Sequence, residues 1–184
     1  MRSITKVLDK FTDIVGYIAA SAMILMLLNV FYDVVMRYFF KNSSIGMQEM
    51  EWHLFSVMFL FGMAYALKEN GHVRVDMFYD NMKPTKQAII NIIGSIIFII
   101  PFSLIIIKGG YAFAFEAYEL GEMSGDPGGL THRWIIKGAI GLSFLFLLIS
   151  TVSFIIHNIL TIIECNDKVC KPDIKEHDHT QEVL

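Results

Sequence analysis

The chain contains 184 residues, of which 54% are hydrophobic and only 18% are charged, and its mean hydropathy is +0.52. This apolar share exceeds the roughly 45–50% typical of soluble globular domains, which excludes a soluble fold. The net charge of -3 excludes a polybasic nucleic-acid-binding protein. Two cysteines near the C-terminus are too few to build a disulfide framework.

Four apolar runs are long enough to cross a bilayer, since a spanning helix needs about 20 apolar residues. They predict an all-α membrane protein with transmembrane helices at about residues 14–36, 49–67, 88–107 and 135–160. These helices form one membrane domain, residues 1–164, followed by a flexible cytoplasmic tail, residues 165–184. The first run is too continuous for a signal peptide, so we expect it to remain as a span. The connecting segments leave no room for a catalytic domain, and we expect no enzymatic activity.

The distribution of lysine and arginine predicts the orientation, because cytoplasmic loops carry an excess of positive charge. With the N-terminus inside, ten of the fifteen Lys and Arg residues fall on the cytoplasmic side. The other five fall on the opposite side, namely Arg37, Lys41, Lys108, Arg133 and Lys137. We therefore expect both termini to lie in the cytoplasm.

Two short segments have the pattern of amphipathic helices that lie on the membrane surface. Apolar residues recur every three or four positions in the first segment, at Ile4, Val7, Leu8 and Phe11. The second segment repeats the pattern before Pro84, at Val75, Phe78, Tyr79 and Met82. The alternative is that both segments are short connecting turns.

The third apolar run remains apolar and aromatic far beyond the length of one span. A continuous helix from Ala88 to Glu122 would be about 52 Å long, against about 30 Å of hydrocarbon. We therefore expect a long third helix that tilts, kinks or projects from the membrane. Pro101 and Gly109-Gly110 are the predicted positions of a kink or break.

Polar residues inside spans are energetically costly and are candidates for a functional site. Asn29, Asp33 and Arg37 lie four residues apart, which stacks them on one face of the first helix. They could form a site for an ion or solute. The pattern favours the alternative, a neutralised pair of Asp33 and Arg37 that faces another helix.

Glu49 and Glu51 open the second span. A carboxylate at this position could cap the helix N-terminus or bind a basic residue of a partner. The two residues point to different sides of a helix, so they do not suit acid–base catalysis on one bond. Small residues four apart, such as Gly62 and Ala66, allow close helix approach either within the subunit or against a partner.

The histidines raise the alternative of a haem-binding membrane anchor. In the predicted topology His53 and His157 lie near opposite ends of their spans, too far apart to share an iron, which leaves His72 with His157. Cys165 and Cys170 match no standard zinc spacing and are expected to be two reduced cytoplasmic thiols. No metal site or cofactor is predicted in this chain.

The motifs and their order resemble the small membrane subunit, the Q-subunit or DctQ type, of tripartite ATP-independent periplasmic (TRAP) transporters. The similarity covers almost the whole chain apart from the tail. It is carried by Arg37-Tyr38, Gln48-Glu49, Phe59-Leu60-Phe61-Gly62, Gly71-His72-Val73-Arg74-Val75-Asp76, Gly125-Asp126-Pro127-Gly128-Gly129-Leu130 and Arg133-Trp134. We expect structural or partner-interface roles for the polar residues Asn29 and Asp33 of the first span, and for the residues within the matching motifs, namely Arg37, Glu49, Gly62, His72, Asp76, Asp126, Arg133 and Trp134.

The resemblance further implies a division of labour among three subunits in the cytoplasmic (inner) membrane. A large membrane subunit, the M-subunit, would carry solute and sodium by an elevator motion, and a periplasmic solute-binding protein, the P-subunit, would deliver an organic acid. This chain would be a scaffold in contact with the M-subunit and lipid. The alternatives are a membrane anchor or cytochrome b-type subunit of a respiratory complex, and a small transporter that works alone.

Overall fold

A computed structural model of the protein describes residues 2–69, 71 and 82–167. The described residues contain five α-helices and one π-helical turn, and no strand. The helices are α1 (Arg2–Phe39), α2 (Ile45–Lys68), α3 (Pro84–Gly94), α4 (Ile100–Glu119) and α5 (Trp134–Asp167), and the π turn (Ser95–Ile99) joins α3 to α4.

Four helical segments are long and apolar enough to cross a membrane, which confirms the predicted number. They are Thr5–Phe39, Ile45–Lys68, Pro84–Glu119 and Trp134–Ile163, and we refer to them as the first to fourth spans. Each contains a longer helix than the apolar run alone predicted. Helices extend beyond such runs because the backbone N–H and C=O groups form hydrogen bonds within the helix even where the side chains near its ends are polar.

The fourth span is central to the bundle. It packs against the hairpin formed by α1 and α2 on one side and against the third span on the other. The third span makes no extended contact with α1 or α2. The connection between α1 and α2 and residues 120–133 lie at one end, which we call the loop end. The opposite end, where α1 begins and α5 ends, is called the termini end.

The core between α1, α2 and α5 is small and aromatic. Val15, Ala19, Phe61 and Ala64 are buried together. The ring of Phe146 lies edge-on to Phe61 at 5.3 Å, and it makes a similar contact with Phe11 at 5.4 Å. Most other large apolar side chains are exposed, as expected when lipid or a partner is their solvent.

Side-chain hydrogen bonds connect the spans where apolar contacts alone would leave them free to slide. The Ser150 hydroxyl donates to the Ala64 carbonyl at 2.8 Å, which joins α5 to α2. Asn91 donates to the Asn158 side chain at 2.9 Å, which joins α3 to α5. Interhelical bonds of this kind stabilise membrane bundles by roughly 0.6 kcal/mol each on average.

The predicted surface helix at the N-terminus is not a separate element. α1 runs without interruption from Arg2 to Phe39, and its first turns pack into the bundle. The Asp9 carboxylate accepts a hydrogen bond from Ser153 at 2.6 Å, and Asp13 pairs with Lys68 at the end of α2. These acidic residues therefore contact neighbouring helices rather than only water.

The long third helix is present, and its interruption lies just before Pro101. The segment from Pro84 to Glu119 is continuous except for the π turn, and it passes through Gly109-Gly110 unbroken. Proline lacks an N–H group and its ring collides with the carbonyl four residues earlier, so a wider turn at that position relieves the conflict. At 36 residues the helix measures about 54 Å.

Several predicted features lie outside the described residues. These are His72 and Asp76, nearly all of the second predicted surface helix, and residues 168–184 of the predicted tail. α5 extends to Asp167, so the start of that tail is helical. The expectation of reduced thiols is wrong for Cys165, which takes part in a disulfide bond.

Candidate site at the loop end of the bundle

Glu49 joins the start of α2 to the loop that precedes the fourth span. Its carboxylate accepts a hydrogen bond from the Ser124 hydroxyl and another, of 2.6 Å, from the backbone N–H of Leu130. The Ser124 N–H in turn donates to the Leu130 carbonyl at 3.1 Å. The Glu49 carboxylate is thus occupied by residues 124–130 rather than by the N-terminus of its own helix.

Glycines allow this loop to lie close to α2. A Cβ added at Gly129 would overlap the Ser124 side chain and lie 2.9 Å from Glu49 Oε2. A Cβ added at Gly46 would lie 3.2 Å from the carbonyl oxygen of Gly128. Gly128 itself has a φ of +84°, a backbone conformation that favours glycine. The glycine-rich turn predicted from the sequence therefore serves close packing as well as chain reversal.

The two other loop residues predicted from the sequence, Asp126 and Arg133, form backbone hydrogen bonds within the loop and at its C-terminal end. The backbone N–H of Asp126 donates to the Ser124 hydroxyl at 3.2 Å, and its carbonyl accepts from Gly129 at 3.0 Å. The Asp126 side chain is exposed. The Arg133 N–H donates to the Glu122 carbonyl at 3.3 Å, and the Arg133 charge interacts with that of Glu49.

Trp134 begins α5 and connects the two helices that flank the loop. Its ring lies edge-on to Tyr118 of α4, with a centroid distance of 5.6 Å. Lys137, one turn further along α5, pairs with Glu122 and lies 3.9 Å from the centroid of the Phe113 ring. The cation is therefore neutralised by a carboxylate and stabilised by an aromatic face.

The polar stripe of α1 faces α2, as the sequence predicts. Asn29 is buried and its side-chain amide donates to the Met47 carbonyl at 2.9 Å. The Asp33 carboxylate is buried as well and pairs with Arg37, whose side chain remains about half exposed. The pair satisfies itself within one helix turn, which agrees with the structural interpretation of this stripe.

Gly62 has a different environment from the glycines of the loop. A Cβ added there would meet no atom within 4 Å, so Gly62 is not a point of close helix contact among the described residues. The close contact lies instead at Gly110, where an added Cβ would be 2.9 Å from the backbone nitrogen of Gly141. Gly141 of the fourth span therefore lies at the close approach between the third and fourth spans.

Sequence reasoning found Glu49 and the turn but not the bonds between them. Nothing in the sequence around Ser124 or Leu130 predicts a contact with Glu49, which lies more than 70 positions earlier. The described residues contain no group of three or more His, Cys, Asp or Glu side chains that could hold a metal ion. What the site does is structural: Glu49 fixes the loop near the start of α2, and Lys137 pairs with Glu122 nearby.

The fold and this site define a class of protein, a small all-helical subunit with four spans whose polar contacts serve its own packing. Comparison with known proteins identifies the family. Residues 26–161 match the DctQ component of tripartite ATP-independent periplasmic transporters. The chain therefore belongs to the DctQ family and is a TRAP transporter small permease subunit, a multi-pass membrane protein.

Two curated relatives from Haemophilus influenzae (strain ATCC 51907 / DSM 11121 / KW20 / Rd) agree with this assignment, and each is named as a TRAP transporter small permease protein. The first is 31% identical over 157 residues, which are 84% of this chain and 96% of the relative. The second is 29% identical over 93 residues, which are 50% of this chain and 54% of the relative.

Proposed function

We propose that this chain is the static scaffold subunit of a TRAP transporter. It supports a large elevator-type M-subunit that carries out sodium-coupled uptake of an organic acid, a carboxylate or sulfonate, delivered by a periplasmic P-subunit. Sodium binds to the M-subunit in this proposal, and this chain contributes no cofactor. The observation that carries the proposal is that Asn29, Asp33 and Glu49 are all used in internal contacts.

A static role follows from these contacts. A transport site needs polar groups that can exchange a solute or ion for another partner, and each group named above is already bonded to its own chain. The extensive exposed apolar surface, in contrast, suits contact with lipid and with a larger membrane protein. Family membership supports association with other TRAP components and gives no support to a respiratory anchor.

Co-expression with the large subunit tests the proposal. We expect the two chains to co-purify in mild detergent through an affinity tag on either one, and solute uptake to require both chains and the binding protein. Recovery of the small chain alone would contradict the scaffold role. Uptake that persists without the large subunit would instead favour a small transporter that works alone.

The proposed orientation places both termini in the cytoplasm and the loop end in the periplasm, in the inner membrane of a bacterium or archaeon. The excess of lysine and arginine in the N-terminal segment, in the connection between the second and third spans and in the C-terminal tail of the sequence supports it. In a variant without the native cysteines, Ser44→Cys should react with an impermeant thiol reagent in whole cells, and Lys6→Cys should be protected. The reverse labelling pattern would invert the topology.

A further inference from the structure

Lys108 is an exposed cation in the half of the third span that is nearer the loop end, within the helix rather than beyond the predicted end of the span at residue 107. It lies 24 residues after Pro84 and 11 residues before Glu119. Its helical neighbours three and four residues away are Leu104, Ile105, Tyr111 and Ala112, none of which carries a carboxylate. Lys108 therefore has no ion-pair partner on its own helix.

The rest of the described chain supplies no partner either. Lys108 takes part in no ion pair or hydrogen bond with residues 2–69, 71 or 82–167. Other charged groups of the bundle do find partners: Asp33 pairs with Arg37, and Lys137 pairs with Glu122. Lys108 differs from these four residues in having no counter-ion among the residues that the structure describes.

The depth of Lys108 follows from the contact between the third and fourth spans. Gly110 touches the backbone of Gly141, which lies four residues after Lys137. With about 1.5 Å per residue, Lys108 lies about 9 Å further into the span than the Lys137–Glu122 pair. A charged side chain at such a depth is rare in membrane proteins and usually has a specific counterpart.

The surface around Lys108 is suited to a second helix. A Cβ added at Gly109 would meet no atom within 4 Å, so the backbone beside the lysine is open to close approach. Phe98, Ile105 and Tyr111 are large and exposed on this span. Among the four spans, the third has the smallest buried fraction, and it packs mainly on the fourth.

We propose that this face of the third span docks a transmembrane helix of the large TRAP subunit, and that Lys108 pairs with an aspartate or glutamate within that helix. The charge of Lys108 requires a carboxylate on the docked helix, because an apolar helix would leave the ammonium group unpaired in an interface without water. The inference rests on the proposed scaffold function and adds the docking face and the counter-ion. Glycine beside the lysine allows the two helix backbones to approach closely.

Charge variants of the full complex test the proposal. Tagged small subunit is co-expressed with the large subunit as wild type, Lys108→Glu, Lys108→Met and Lys108→Arg. Lys86, which is exposed at the start of the same span, supplies the control Lys86→Glu. We expect the Glu and Met variants to recover at least tenfold less large subunit than wild type, and the Arg and Lys86→Glu variants to recover nearly as much.

The outcomes separate the docking proposal from the scaffold function. If wild type recovers no large subunit, the scaffold function itself fails. If wild type and Lys108→Met recover it equally well, the ion pair is overturned, and Lys108 then extends to the lipid phosphates instead. If membrane yield of the Glu and Met variants expressed without the large subunit falls with the recovery, the loss reflects insertion rather than docking, which also contradicts the proposal.

Two further measurements, a crosslink in the otherwise unchanged subunit and a charge swap across the interface, test the contact directly. A photo-crosslinking amino acid at Ile105, which is exposed one turn before Lys108, should crosslink to the large subunit in the assembled transporter. Replacement of the correct partner carboxylate by lysine should restore recovery of Lys108→Glu. No crosslink to the large subunit at Ile105 would show that this face does not dock it.

Discussion

The carboxylate of Glu49 accepts a 2.6 Å hydrogen bond from the backbone N–H of Leu130, a residue 81 positions later in the chain. With the second bond from Ser124, this contact holds the loop before the fourth span against the N-terminal part of α2. The loop end of the subunit is therefore a fixed surface. In the proposed orientation this surface faces the periplasm, the side from which the proposed solute-binding subunit would approach.

Glu49→Gln should loosen the loop without unfolding the bundle. The amide retains one acceptor oxygen but loses the charge, and it can no longer accept hydrogen bonds from both Ser124 and Leu130 with separate oxygens. We expect faster proteolysis within residues 120–133 and a melting temperature in detergent that is a few degrees lower. Glu51→Gln removes the same charge two residues away and should change neither measurement. Equal effects from both variants would point to net charge rather than to the loop contact.

Gly129→Ala should have an effect similar to that of Glu49→Gln. The added methyl group would overlap the Ser124 side chain and crowd the Glu49 carboxylate, so the loop must move away from α2. Gly125→Ala is the matched control, because a Cβ there meets no atom within 4 Å. Limited proteolysis of the two variants in parallel gives the comparison. A Gly129→Ala loop as resistant as wild type would contradict the inference that close packing at Gly129 holds the loop against α2.

Gly110→Ala should destabilise the contact between the third and fourth spans. Its Cβ would lie 2.9 Å from the backbone nitrogen of Gly141 and 3.0 Å from its Cα, and backbone atoms cannot rotate away. Overpacking of this kind costs roughly 1–3 kcal/mol. Gly109→Ala, one residue earlier and facing open space, should leave the melting temperature of the purified subunit unchanged. A smaller effect at Gly110 than at Gly109 would contradict the observed register of the two spans.

Arg37→Gln should destabilise the subunit more than the double variant Asp33→Asn with Arg37→Gln. The single change leaves a buried carboxylate without its cation, whereas the double change removes both charges. Because Arg37 is about half exposed, we expect the difference to be on the order of 1 kcal/mol. Melting temperatures of the two single variants and the double variant give the coupling energy. Strict additivity would show that the pair contributes nothing as a pair.

The same set distinguishes a structural pair from a transport site. When the double variant is assembled with the large subunit and the binding protein, we expect uptake per assembled complex to remain near that of wild type. Loss of uptake with normal assembly would show that Asp33 and Arg37 take part in transport and not only in packing. Quantifying the complex in the same membranes used for uptake provides the needed normalisation.

The sequence by itself determined the number and approximate limits of the spans, because each span needs a long apolar run that can be recognised from composition. It also indicated that Asp33 pairs with Arg37, since both lie on one helix with a spacing set by the helix itself. Only the tertiary structure decided that Glu49 holds Ser124 and Leu130, and that Gly110 touches a neighbour while Gly109 does not. Those relationships depend on the register and the rotation of one helix against another. A sequence in which several helix faces are apolar does not specify either quantity, and packing of the helices fixes both.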